Sequence, residues 1–364
     1  MMRMATLIVL ALLLFAPTLY AQNGTHPLVE AGLATPLNLS QTIDPVTATL
    51  DWAYADTQGF TLQVTVTGLT PELQQALTGA LTSTARLRDT MGNEFTFQGG
   101  AVGQPDSEGT MVNVFTYYSQ AVRQNGEMWE IDTDYFNNQY ETLPASLDLQ
   151  LELNFVDPNT LYAPEEGASP TATPAVDPIG PFLFDFTVPL PAPVELEPQQ
   201  TVKVNDLAMT LETLQLTPTQ AEARMCIELP DGSDWQPQPS ITIDGAEGSY
   251  AGGGVIDVAQ FENDERRCFD LRFNALNSDE AETVVVSLDA IEKSMQEGTE
   301  DWLRIQDALA DEGIEMTVES QGQGVSAEIP NLPEGMTFMD AVKMAREDLG
   351  DRISGPWVFE VELP

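Results

Sequence analysis

The chain of 364 residues contains one histidine, three lysines and two cysteines. Beyond its first residues, no stretch approaches the roughly 18 uninterrupted apolar residues of a membrane helix. Each shortage excludes something. Nucleophilic triads built on imidazole need a histidine beside a serine or cysteine. The only candidate, His26, stands in a polar lead-in far in sequence from both cysteines. Zinc sites lack their His/Cys cluster for the same reason. Gly252-Gly253-Gly254 is followed by Val-Ile-Asp rather than Lys-Ser/Thr, so it is no phosphate loop and is expected to form a turn. Positive charge is the deepest shortage: 14 Lys and Arg face 57 Asp and Glu, a formal net charge of −43. Nucleic acid and anionic membrane surfaces both require clustered cations, so neither is an expected partner. Such a surface suits an extracellular or saline medium, and salt or millimolar calcium is expected to stabilise it.

At the N-terminus, Arg3, the apolar run Thr6 to Leu14 and Leu19-Tyr20-Ala21 have the order of a cleavable signal peptide covering residues 1–21. An extracellular or cell-envelope location is therefore expected. In that setting Cys226 and Cys268 read as a disulfide. In the first cysteine's strand Ala221, Ala223, Met225, Ile227 and Leu229 alternate with it. In the second strand Phe269, Leu271 and Phe273 do the same. Both thiols thus belong to the polar faces of their strands, which predicts a bridge between neighbouring strands of one sheet. Closing that loop is worth about 4 kcal/mol in the chain-entropy model.

After an extended lead-in at 22–45, period-2 alternation begins. Ala48, Leu50, Trp52 and Tyr54 mark one strand, and Phe60, Leu62, Val64 and Val66 another. Leu147, Leu149, Leu151, Leu153 and Phe155 mark the cleanest. Glu72 to Leu81, after Thr70-Pro71, has helix-forming composition. A repeat organises the whole: residues 180–189 (GPFLFDFTVP) match 355–364 (GPWVFEVELP) in character at every position. Each copy reads as the last strand of a domain. The expected fold is mainly β, with two tandem immunoglobulin-like antiparallel β-sandwiches at 46–190 and 201–364. A Pro-rich linker at 191–200 joins them. The second domain carries an α-β-β-α insert at about 295–353. It comprises a helix from Thr299 with Trp302, Ile305 and Leu309 on one face, a hairpin about 321–324, and a helix capped by Thr337 with Phe338, Ala341, Val342 and Ala345.

Three features together resemble the exported domains of bacterial anti-sigma-factor-related and uncharacterised cell-surface proteins. They are the Gly-Pro-aromatic strand at 355–364, the Cys226…Cys268 pair, and Asp301-Trp302 with Pro333-Glu334-Gly335-Met336. The resemblance covers mostly the second domain and implies no activity.

No catalytic residues are expected. Two acidic turns offer the oxygen ligands that calcium prefers: Asp132, Asp134 and Asn137, and Asp231 with Asp234. Neither completes a twelve-residue calcium loop. Trp129, Tyr135, Phe136 and Tyr140 lie among amides and acids, as a sugar- or peptide-binding surface requires. Asn125-Gly126, a tight-turn pair, fits a strand hairpin in the same segment. The leading expectation is a non-catalytic protein that binds an extracellular protein or glycan and needs no cofactor beyond calcium. An envelope spacer is the rival, and a carboxylate-based glycoside hydrolase a distant third.

Overall fold

A computed structural model of the protein describes residues 25–77, 82–125, 128–133, 135–156, 179–229, 234–255, 266–277, 281–295, 299–321 and 324–364. The signal-peptide reading at 1–21 and the calcium candidates Asp134 and Asp231 lie outside the described residues. The chain divides into two compact units, one ending at Ala192 and the other running from Pro193 to Pro364.

The first unit opens with α1 (Pro27–Glu30), β1 (Thr35–Ile43), β2 (Val46–Ala55), β3 (Gly59–Thr67) and α2 (Pro71–Leu77). It continues with β4 (Thr82–Asp89), β5 (Glu94–Val102), β6 (Met111–Asn125), β7 (Met128–Asp132), α3 (Tyr135–Gln139), β8 (Ser146–Val156) and β9 (Ile179–Pro189). The strands form one antiparallel sheet in the order β1-β2-β3-β6-β5-β4-β8-β9, with β7 also paired to β6. Alternation drives it: Val46, Ala48 and Leu50 on β2 and Leu147 to Leu153 on β8 are buried, while their neighbours face outward.

The second unit repeats the plan. It contains β10 (Val194–Leu196), β11 (Gln200–Val204), β12 (Leu207–Leu216), β13 (Gln220–Glu228), β14 (Trp235–Ile243), β15 (Ala246–Val255), β16 (Arg266–Asn274) and β17 (Thr283–Lys293). Then come α4 (Thr299–Asp311), β18 (Thr317–Gln321), β19 (Gly324–Glu328), α5 (Phe338–Asp348) and β20 (Arg352–Glu362). Its order is β10-β12-β13-β16-β15-β14-β17-β20, with β11 beside β10 on the edge of β12. Strand for strand this is the order of the first unit.

Mainly β and antiparallel is what the alternation predicts; the strand order is not. In an immunoglobulin sandwich the second strand lies between the first and the fifth. Here β2 lies between β1 and β3. Each unit is one continuous nine-stranded antiparallel sheet that curls on itself. Alternation fixes which face of a strand is buried, not which strand pairs with it.

The curl brings the first strand back to the last. Side-chain amides stand in for a peptide ladder at this seam. Gln41 on β1 donates through Nε2 to the Leu183 carbonyl of β9 and accepts the Leu183 N–H through Oε1 at 2.9 Å. In the second unit Gln200 donates to the Glu360 carbonyl at 2.9 Å and Asn205 to the Ser354 carbonyl at 2.8 Å.

The closing-strand repeat holds in register. Leu153 opposes Phe182 and Leu151 opposes Phe184; likewise Leu288 opposes Trp357 and Val286 opposes Phe359. The glycine that opens each copy has a steric reason. A Cβ on Gly180 would stand 2.9 Å from the Leu153 carbonyl oxygen, and one on Gly355 2.5 Å from that of Leu288.

The lead-in holds one strand, the nine-residue β1 at the edge of the sheet. Two segments depart from their sequence reading. The linker is part of the sheet, since Val194–Leu196 pairs with Leu214–Leu216. The 252–254 glycines lie in β15 opposite Arg272, Leu271 and Asp270, so they form strand rather than turn.

Between β17 and β20 the chain leaves the sheet as α4-β18-β19-α5. Ile305 and Leu309 of α4, Ile314, Met316 and Ile329 around the hairpin, and Ala341, Val342 and Ala345 of α5 form a separate small core. Thr337 caps α5 through a capping box. Its Oγ1 accepts from the Asp340 N–H at 3.1 Å, and the Asp340 carboxylate accepts from the Thr337 N–H at 2.9 Å. Bonds donated by the Thr337 hydroxyl and then by its N–H hold the Asp340 carboxylate below its ordinary range.

Candidate functional site

The insert is seated on the second unit through a charge network rather than through apolar packing alone. Glu292, near the end of β17, accepts from Arg346 of α5 at 2.5 Å and from Arg352 at the start of β20. A second Arg346 nitrogen donates to the Lys293 carbonyl at 2.5 Å. Asp351 receives Arg304 of α4 at 2.9 Å and Lys293 at 3.6 Å. Lys293 also stands 5.1 Å over the buried Trp235 ring. Burial pulls the Arg346 guanidinium below its usual pKa, opposed by Asp351 and Asp301; burial does the same at Arg352, opposed by Asp289. Between these groups lies a cleft of about 400 Å³, lined among others by Asp234, Lys293, Asp301, Arg304, Arg346 and Asp351. Its cations and carboxylates neutralise one another.

Two apolar residues of the insert, Leu303 of α4 and Met339 of α5, are exposed. The Trp302 and Phe338 rings lie 6.4 Å apart where α4 and α5 begin. Both are half-buried, and their sequence neighbours Leu303 and Met339 are 44% and 56% exposed. Met336 and Leu332 pack against the insert core just before α5. Exposed carboxylates of Glu300, Asp307, Glu334 and Asp340 belong to the same elements.

Of the aromatics that could form a ligand surface, Tyr135 and Phe136 face inward. Tyr135 is 1% exposed and Phe136 5%, because α3 folds over the sheet and packs them against Phe95 at 5.1 Å and Phe60 at 6.3 Å. Tyr140 stacks beside them, half-buried. The Tyr135 hydroxyl donates to buried Asp89 at 2.6 Å. Burial, then that hydrogen bond, push its pKa far up. Trp129 lies in β7, and its side chain is outside the described residues. On the neighbouring strands β5 and β6, Phe97 and Tyr118 face solvent.

Of the calcium candidates, Asp132, Asn137 and Asp234 are among the described residues. Asp234 accepts from Ser294 at 2.7 Å and from Gln236 at 2.9 Å, and faces Arg267 at 3.8 Å, so protein donors occupy it. Asp132 at the end of β7 accepts from Asn138 at 2.8 Å, with Asn137 in α3 beside it. Among the described residues, the grouping with metal-ligand proximity is Glu212 with Cys226 and Cys268. Those two sulfurs are bonded to each other. The disulfide joins residues directly opposite on β13 and β16, neighbouring strands of one sheet. Both cysteines are buried, so the polar face of these strands is covered at that point. His26 is no loose lead-in residue. Its Nδ1 accepts the Leu28 N–H at 3.2 Å and its ring lies 5.0 Å from Trp52, where burial lowers its pKa.

A second cleft, about 500 Å³, lies over the outer face of β12, β13 and β16 and contains Glu195, Glu197, Glu222, Arg224 and Asp270. Burial pushes the Asp270 carboxyl up, against the pull of Arg224 and Arg272. Arg224 stands directly across the ladder from Asp270, and Arg272 from Glu222. These are the alternating opposite-charge pairs that hold sheet faces together.

No protein family model matches the chain, and no curated protein is similar to it. One solved structure is similar in outline, described as the crystal structure of the conserved domain protein from Bacillus anthracis. It has 10% identity, a TM-score of 0.45 and coverage of 92% of this chain and 93% of that one.

Proposed function

We propose that the protein is an exported, non-catalytic binding protein whose insert is its recognition element, acting outside the cell or in its envelope. The observation that carries this reading is a contrast between copies. Two units share one strand order and one closing-strand register. The α4-β18-β19-α5 element, with its own core and an ion-paired seat, is described in the second unit alone. A repeated scaffold bearing one copy-specific, rigidly mounted element is how a sheet protein gains a specific surface. The signal-peptide pattern, the disulfide, the acid-rich surface and the resemblance to exported cell-surface proteins support the location. The partner is an extracellular protein or glycan.

The test is capture from an envelope fraction of the producing cell, with the full chain and with a version whose β17 and β20 are joined by a short Gly/Ser turn. Capture of one stoichiometric partner that disappears with the insert is the expected result. Capture that persists without the insert refutes the assignment. Self-assembly in place of capture would establish the spacer reading instead.

A further inference from the structure

The exposed face of the insert has a chemistry that specifies its partner more closely. At the start of α4 and α5 the Trp302–Phe338 ring pair is followed in sequence by Leu303 and Met339, both open to solvent. Of the methionines of segment 295–353, Met316 lies in the insert core and Met295, Met336 and Met344 pack against it, while Met339 is exposed. Unbranched, polarisable methionine adapts its shape to a bound apolar side chain, so it suits a surface that receives peptide anchors. The same segment carries fourteen carboxylates against four cationic side chains. Two of those cations, Arg346 and Arg352, are buried in the seat against Glu292. The other two, Arg304 and Lys343, are exposed, and against fourteen carboxylates they leave the insert with a strongly negative net charge.

We propose that this face docks a cationic amphipathic segment of a partner protein. Its aliphatic or aromatic anchors rest on Trp302, Leu303, Phe338 and Met339, and its lysines or arginines meet the surrounding carboxylates. The inference rests on the insert being the recognition element and adds the class of ligand it takes. Charge decides among the occupants. A second copy of this chain would bring another net charge of −43 to the interface. An anionic lipid surface would be repelled likewise. A basic segment gains both steering and burial: its charge speeds encounter, and desolvation of its anchors holds it.

The experiment measures anisotropy of a labelled Lys/Leu peptide patterned as an amphipathic helix, titrated with the full chain. A Lys/Ser peptide of equal charge is the comparator. Leu303→Ser with Met339→Ser removes the exposed anchors without touching the insert core. Leu183→Ser with Val358→Ser removes two exposed apolar residues of the closing strands as a control. The Lys/Leu peptide is expected to bind about tenfold or more tightly than Lys/Ser, and to lose about tenfold or more in the insert variant only. Glu300→Gln with Glu334→Gln should weaken binding and flatten its salt dependence. Equal binding of the two peptides, equal loss in both serine variants, or no binding of the Lys/Leu peptide overturns the proposal. If capture from the envelope needs the insert yet the insert variant binds the peptide normally, the ligand class is wrong and the recognition element stands. Capture that survives insert removal defeats the underlying reading instead.

Discussion

Replacing Glu292 by glutamine tests whether the insert is held by charge. The carboxylate touches two guanidiniums whose side chains are 10% and 8% exposed, Arg346 and Arg352. Removing one member of a buried ion pair costs about 3–5 kcal/mol, because the remaining charge stays buried and unpaired. Several contacts place this case at the lower end. Arg346 keeps the Lys293 carbonyl, Arg352 keeps Glu347 at 3.3 Å, and the glutamine oxygen still accepts one bond. The expected loss is about 3 kcal/mol, or roughly 6–12 °C in the midpoint of a unit of this size. Urea unfolding with an unchanged m-value would measure it. Hydrogen exchange should quicken in β17, α5 and β20 and leave β2 and β8 unaffected. The reference is Arg86→Gln, which breaks an exposed pair with Glu94 at 3.8 Å and should cost under about 1 kcal/mol. If Glu292→Gln costs no more than Arg86→Gln, the seat is not electrostatic and the insert is held by its apolar contacts alone.

Four further outcomes follow from single contacts. Replacing Cys226 and Cys268 by alanine opens a closure of 42 residues and should lower stability by about 4 kcal/mol in chemical unfolding; an unchanged midpoint contradicts the bridge. Tyr135→Phe removes one donor from buried Asp89, which keeps the N–H groups of Met91 and Asn93 and the Asn93 amide. About 2 kcal/mol should be lost, with no effect on capture of a partner, whereas a binding-surface tyrosine would show the reverse. Gly355→Ala drives a Cβ onto the Leu288 carbonyl and should cost about 2–3 kcal/mol by thermal melting, more than an alanine at exposed Gly350. Asp270 has its folded-state carboxyl raised by burial. It therefore favours folding at pH below the unfolded carboxylate range and disfavours it as pH rises through the raised value. Asp270→Asn should raise the midpoint at neutral pH and lose that gain on acidification; a pH-independent difference rejects the assignment.

The sequence made local features legible and long-range ones opaque. Leu147 to Phe155 alternate so strictly that the buried face of β8 could be read without a structure. The insert was legible because its period changes from 2 to 3.6 at Thr299 and again at Thr337, where a capping box marks the helix start. The disulfide was legible through the facing of its neighbours. Strand order was not. Nothing local tells β2 that its second neighbour is β3 rather than the fifth strand, and the Gln41–Leu183 seam joins residues 142 positions apart. The aromatic segment misled for a related reason. Amides and acids beside Tyr135 and Phe136 look like a wet surface, but a short helix turns only its aromatic side onto the sheet. Its polar residues, Asn137 and Asn138, take the outside. Asp234 looked like a cation ligand because its partners Ser294 and Arg267 are distant in sequence.

The distribution of the few cations ties the fold to the proposed role. Arg267, Lys293, Arg304, Arg346 and Arg352 make up five of the fourteen basic residues, and all five pair with carboxylates around the seat of the insert. In a chain this acidic, self-repulsion would otherwise push an acid-rich insert away from an acid-rich sheet. Concentrating positive charge at the junction removes that repulsion where the two must touch, and leaves Glu300 and Asp307 of α4 exposed. The same placement therefore fixes the insert and keeps its exposed face electronegative. Exchanging the signs at the seat, with Glu292→Arg combined with Arg346→Glu and Arg352→Glu, separates the two effects. It should preserve much of the docking of the insert while adding two net negative charges. A variant that folds but no longer presents the insert in a fixed orientation, seen as fast exchange throughout α4 and α5, would mean that the local geometry of the guanidiniums, not their charge, sets the mount.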